Sequence, residues 1–317
     1  MNRVRNDFEV LVDRALHDSN VSHMRNVIEK ELLIYDTLFC LEHQGLLDNI
    51  IFQGGSLLRF GYGGERLSED LDFVAGKNFS LSHFDSMKSC IESFISNRYG
   101  LAVVVKQSGI KGRGQEGKFP KVYRWHISVT THPDKKDLPK QRVKIEIATV
   151  PAYTREIVAI RTNYDFLPDG YDDILVSSET LDEVMADKLV SFPATTQYIR
   201  YRDIWDLYWL VKRRAAIDVN LVERKIVDYR LTGFEGLLTE TIERLPQTVN
   251  SPEFRNEMRQ LLPTDAFNRT LDKEKFSEHL LRTLQSLFGQ VRDELNIPRQ
   301  MPSLGFHGKV ATDSTAK

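Results

Sequence analysis

Apolar positions recur at near-helical spacing through the first ~50 residues, where Ile28, Leu32, Tyr35, Leu38, Phe39 and Leu46 form a stripe that Gly45 is placed to stop. The period then changes. In IIFQGGSLLRFGYGGERLSEDLDFV a short apolar run meets Gly54-Gly55-Ser56, and a glycine-rich connection leads to an alternating stretch from Asp70 to Val74. This predicts strand, turn, short helix, loop and strand. A helical pattern from Leu81 to Tyr99 is followed by strand candidates at 101–105, 122–130 and 142–150, which should join one sheet. After Pro168 strand signals nearly vanish. Helical segments at 179–192, 199–214, 218–230, 233–245, 251–261 and 273–294 run towards the tail. The expected organisation is therefore an α/β (α+β) domain over 1–168, a helical domain over 169–297, and a flexible tail over 298–317 that is poor in core residues.

Composition narrows the picture only slightly. With 43 basic against 45 acidic residues, total charge advertises neither nucleic acid nor membrane, so any such surface must be local. Cys40 and Cys90 each sit in an apolar helical pattern and form neither a disulfide framework nor a zinc pattern, which fits a reducing compartment. The N-terminus carries charges throughout, and no apolar run approaches the ~18 residues of a spanning helix, so a cytoplasmic protein is expected.

Candidate chemistry gathers between Gly54 and Asp72. Two residues without Cβ let a backbone approach phosphate closely, and a helix starting near Ser56 would aim free amides and a hydroxyl at the anion. Asp70 and Asp72 alternate with Leu71 and Phe73, which on a strand puts both carboxylates on one face. Oxygen ligands of that kind suit Mg²⁺ or Mn²⁺. In VKIEIATV, Glu146 lies on the polar face of its strand and can complete the cluster, as metal ligand or general base, if the strands are neighbours; a solvated strand glutamate is the alternative.

Lys188 falls on an apolar stripe with Leu181, Met185 and Phe192, where an ammonium needs an anion. Nucleotide phosphates would serve, as would an internal acid. Asp203 and Asp206 share a helix face, flanked by Arg200 and Arg202; they read either as an internal ion-pair network or, for one of them, as part of the site. The segment 106–121 holds Lys106, Lys111, Arg113, Lys118 and Lys121 against Glu116 and suits non-specific contact with an RNA backbone. Tyr198, Tyr201, Trp205, Tyr208 and Trp209 form an aromatic run whose ordinary role is core. His126 and His132 have no metal spacing.

The stretch GGSLLRFGYGGERLSEDLDF, with thirteen residues between Ser56 and Asp70, resembles the polymerase-β-like nucleotidyltransferase superfamily. Its wording is most similar to the AbiEii/AbiGii toxin family, related to the MenT toxins. LDEVMADKLVSF and RYRDIWDLYWL resemble two further motifs of that family, although Arg202 stands where lysine is common there. The resemblance implies a mixed sheet with flanking helices and a nucleotide in a cleft before a helical domain. It also implies that Asp70 and Asp72 bind metal, Gly54, Gly55 and Ser56 grip phosphates, Lys188 contacts the nucleotide, and Asp203 or Asp206 completes the site. By the same resemblance the substrates are an NTP and an RNA, tRNA at its 3′ end, and the chain is the toxin of a type IV toxin–antitoxin pair acting in phage defence. Transfer to a small-molecule or protein hydroxyl, or a non-catalytic binding module, are the alternatives.

Overall fold

The computed structural model describes residues 7–76, 79–108, 120–135 and 137–296. Two helices open the chain, α1 (Asp7–Ala15) and α2 (Arg25–His43). The second is buried along most of its circumference, including Ile28, Leu32, Leu33 and Tyr35, as a helix with apolar residues on every side must be. It also buries acids, and each is answered. Glu31 accepts from Arg59 Nε at 2.8 Å, while Glu29 accepts from Gln141 Nε2 at 2.8 Å. Gly45, at φ +64°, lets the chain turn back so that Leu46 N–H reaches the Leu41 carbonyl at 2.8 Å.

The first strand, β1 (Ile51–Gln53), runs straight into a helical turn α3 (Gly54–Ser56), which continues as a π-helical turn over Leu57–Gly61. Then come β2 (Leu71–Val74), α4 (Met87–Tyr99), β3 (Val103–Ser108), β4 (Val122–Val129), β5 (Gln141–Ala148), β6 (Glu156–Ala159) and β7 (Leu175–Ser178). They form one mixed sheet in the order β3-β4-β5-β2-β1-β7-β6, with β2–β5 and β1–β7 parallel and the other pairs antiparallel. In β5, Val143, Ile145 and Ile147 are buried in alternation, so the intervening side chains face the other way.

One expectation needs correction: the sheet continues past Pro168. Strand β7 reads Leu-Val-Ser-Ser and carries no alternating signal, but it supplies the parallel partner of β1 through Phe52 and Ser178. Pairing with a buried neighbour makes it a strand where its own side chains do not.

The remaining helices are α5 (Leu181–Ala194), α6 (Tyr201–Lys212), α7 (Val219–Asp228), α8 (Phe234–Val249), α9 (Pro252–Leu261), α10 (Thr264–Arg269) and α11 (Glu274–Glu294). One large apolar cluster runs from Phe8 through the sheet to Val291, beside a small one at Val74, Ala148 and Val150, so these helices complete the core of the sheet. Polar ties reinforce the seam: Glu69 accepts from Lys30 at 2.6 Å and pairs with Arg202, whose Nε meets Glu257 at 2.9 Å. Leu67 N–H donates to the Leu261 carbonyl at 2.8 Å.

Candidate active site

The site is built where β1 becomes helix. Gln53 is extended, and the next residue, Gly54, has φ +78°, a backbone state that favours glycine. Space is tight there as well: a Cβ on Gly54 would stand 3.1 Å from Asp72 Oδ2. A Cβ on Gly55 would stand 2.4 Å from Arg66 Nη2. The two glycines thus let an acidic and a basic side chain close on one bend. Gly54 and Gly55 both line the adjoining cavity, whose volume is ≈ 610 Å³, and as first-turn residues they carry amides without intrahelical partners.

Ser56 lies differently from its expected place. It is 1% exposed; its hydroxyl pairs with Ser68 Oγ at 2.7 Å and donates to the Asp70 carbonyl. It therefore fastens the bend to the strand that follows, and Ser68, not Ser56, is among the residues lining the cavity.

One wall is acidic. Asp72 on β2 is the register partner of Gln53 on β1 and of Glu146 on β5, so Asp72 and Glu146 stand side by side on one sheet face, as the alternation predicts. Asp70, just ahead of β2, accepts the Lys144 amide at 3.1 Å. Lys144 Nζ lies 3.3 Å from Asp70 Oδ2 and 3.4 Å from Glu146 Oε1, and Arg124, opposite Glu146 on β4, pairs with it.

Burial first, then the charges of Glu146 and Asp70, push the Asp72 carboxyl up to about 6, against the pull of Lys144 and Arg200. Asp70, Asp72 and Glu146 offer oxygen donors of the kind that suits a hard divalent cation, with Lys144 Nζ standing beside Asp70 and Glu146.

The opposite wall is a buried ionic cluster. Lys188 on α5 is 5% exposed, and its Nζ lies 2.7 Å from Asp203 and 2.8 Å from Asp206, both on α6. Arg66 grips Asp206 through both Nε (2.7 Å) and Nη2 (2.8 Å), and Arg200 pairs with Asp203. Burial alone would raise both aspartates, but Lys188 and Arg200 hold Asp203, and Arg66 and Lys188 hold Asp206, below the usual carboxylate range.

Lys188 thus meets two internal acids while also lining the cavity. Asp203 and Asp206 sit in the ion-pair network and line the same cavity as Asp70, Asp72 and Glu146. The cluster holds three cations against two carboxylates, a formal surplus of one positive charge, and all five line the cavity.

Arg66 was not foreseen, because in a loop without periodicity an arginine carries no signal of burial. Three carboxylates that converge within 4.8 Å occur, among the described residues, at Glu179, Glu183 and Asp187. There Lys225 Nζ stands 3.2, 2.6 and 2.9 Å from them in turn, taking the place a metal would need. Of the basic segment, Lys106 and Lys121 are described; Lys111, Arg113, Glu116 and Lys118 lie outside the described residues. His132 binds Glu29 at 3.1 Å, far from this chemistry in role.

The solved structures that resemble the chain are distant. JHP933 from Helicobacter pylori is 18% identical, with a TM-score of 0.46 over 85% of this chain and 95% of that one. The STING-associated CdnE c-di-GMP synthase from Capnocytophaga granulosa is 12% identical, with a TM-score of 0.20 over 90% and 93%. No curated protein matches. No helix among the described residues is long and apolar enough to cross a membrane. Residues 36–289 match the family described as nucleotidyl transferase AbiEii toxin, type IV TA system, a span that takes in the glycine bend, the acidic wall and the ionic cluster. The chain belongs to the AbiEii family of nucleotidyltransferase toxins.

Proposed function

We propose that the chain transfers a nucleoside monophosphate from an NTP to the 3′ hydroxyl of an RNA, tRNA by resemblance, as the toxin of a type IV toxin–antitoxin pair in phage defence. The observation that carries the reading is one cavity with opposed walls: Asp70, Asp72 and Glu146 on one side, an ionic cluster with one surplus positive charge on the other, and the Gly54–Gly55 bend between. Membership of the family supports the general reaction and an antitoxin partner.

Asp70 and Asp72 would hold Mg²⁺ or Mn²⁺, which when bound offsets phosphate charge and polarises the α-phosphorus. The first-turn amides at Gly54 and Gly55 receive the β- and γ-phosphates, and the surplus charge around Lys188 balances the leaving group. The acceptor oxygen bonds to the α-phosphorus as the bond to pyrophosphate breaks. Glu146 is the third acid of this wall, as ligand or as base for the hydroxyl proton.

The experiment offers each labelled NTP with total RNA, with protein and with small hydroxyl compounds. Asp70→Ala should cut transfer by at least about 100-fold and relieve growth arrest, with an unchanged melting curve. Label on protein or small molecules alone would remove RNA as the acceptor, and toxicity persisting in a folded Asp70→Ala variant would favour a binding module.

A further inference from the structure

The rim of the cavity is not used by either wall. Thr195 to Arg200 join α5 to α6 without regular structure, and Thr196 to Ile199 are exposed one after another. Two large apolar side chains lie in that run, Tyr198 at 62% exposure and Ile199 at 43%, and both line the cavity. Burial separates Tyr198 from the aromatic run it belongs to. Trp205 and Trp209 are core, and Tyr201 and Tyr208 are half-buried, packing on Phe254 and Phe276. Among the described residues no ring packs on Tyr198.

Charge lies beside the ring. Arg200, two residues on, belongs to the ionic cluster, yet its side chain is 35% exposed where those of Lys188 and Arg66 are 6% and 5%. The cluster therefore reaches solvent at Arg200, next to an open aromatic face. The cavity, at ≈ 610 Å³, has the size for one small ligand, and Tyr198 and Ile199 are the exposed apolar side chains of its lining.

We propose that Tyr198 and Ile199 form the platform on which the terminal, unpaired base of the acceptor strand stacks, with Arg200 meeting the adjoining phosphate. The inference rests on the reading of the acceptor as a polynucleotide. Tyr198 is a positioning residue: a π-face accepts any base, so the platform sets where the 3′ hydroxyl lies and leaves sequence unread.

The test measures steady-state transfer from labelled NTP to a single-stranded oligonucleotide ending in a 3′ hydroxyl, varying each substrate in turn. Wild type is compared with Tyr198→Ala, Tyr198→Phe and Ile199→Ser, after thermal melts have shown that these exposed positions leave the fold intact. Tyr198→Ala should raise the acceptor KM by on the order of 10-fold, with the NTP KM within about twofold of wild type and Tyr198→Phe close to wild type. An unchanged acceptor KM, or an equal rise for NTP, overturns the platform. A wild-type chain that labels no RNA removes the polynucleotide reading and the platform with it; a wild type that labels RNA with Tyr198→Ala unaffected removes the platform alone.

Discussion

Lys188 shows why the sign of a buried group's surroundings matters more than its burial. Burial opposes its charge, but Asp203 and Asp206 outweigh that and keep the ammonium firmly protonated. Removing it by Lys188→Met leaves each aspartate with an arginine, Arg200 for one and Arg66 for the other, so the cluster becomes balanced. That variant should lose no more than about 2 kcal/mol in urea denaturation, while transfer collapses. Asp206→Leu instead strands Arg66 and should cost roughly 3–5 kcal/mol. Equal losses in the two would disprove the charge accounting.

Asp36 makes a separate pH prediction. Burial raises its carboxyl to about 6, against Arg98, Tyr171 and Tyr99. Since the unfolded group titrates near 3.8, the folded chain holds the extra proton between those values. Stability from this group therefore falls as pH rises through that window and stays reduced above it. Asp36→Asn should stabilise by on the order of 1–3 kcal/mol at pH 7.5, with the gain vanishing near pH 4 in thermal melts. A gain that ignores pH would refute the assignment.

Among the elements, those with a strong period were legible and those held by partners were not. Alternation in VKIEIATV placed Glu146 on the face it occupies, and the spacing of Asp70 and Asp72 placed both at the cavity. Six C-terminal helices appear within a few residues of their apolar stripes. Strands β6 and β7 and the six-residue α10 stayed hidden because their conformation comes from neighbours. Position along the chain also conceals pairing: no local pattern joins Arg66 to Asp206, and the stripe that exposed Lys188 as unusual could not say which anion it meets. Gly54 was legible as a flexible point, while its second reason, Asp72 Oδ2 standing 3.1 Å from the missing Cβ, needed coordinates. Gly54→Ala, strained at φ +78° and pressed on that carboxylate, should destabilise by about 1–3 kcal/mol and depress transfer more than a remote substitution of equal cost.

Nearly all the buried apolar side chains among the described residues belong to one cluster, and this bears on how the chain unfolds. With β7 beside β1 and the helical half sealing the same apolar cluster, calorimetry should record a single transition. A chain ending at Pro168 would lack β7, bare the edge of β1, and should be recovered as aggregate. Two separable transitions would mean the halves fold independently.

The doubled grip of Arg66 on Asp206 joins a loop to a helix 140 positions away. Loss of the acid leaves the guanidinium unanswered in a dry place, and loss of the guanidinium leaves Asp206 to Lys188 alone, so neither position is free to drift by itself. Relatives that abandon the guanidinium should abandon the acid too, and the pair should be inherited as one character although nothing in the order of residues joins them.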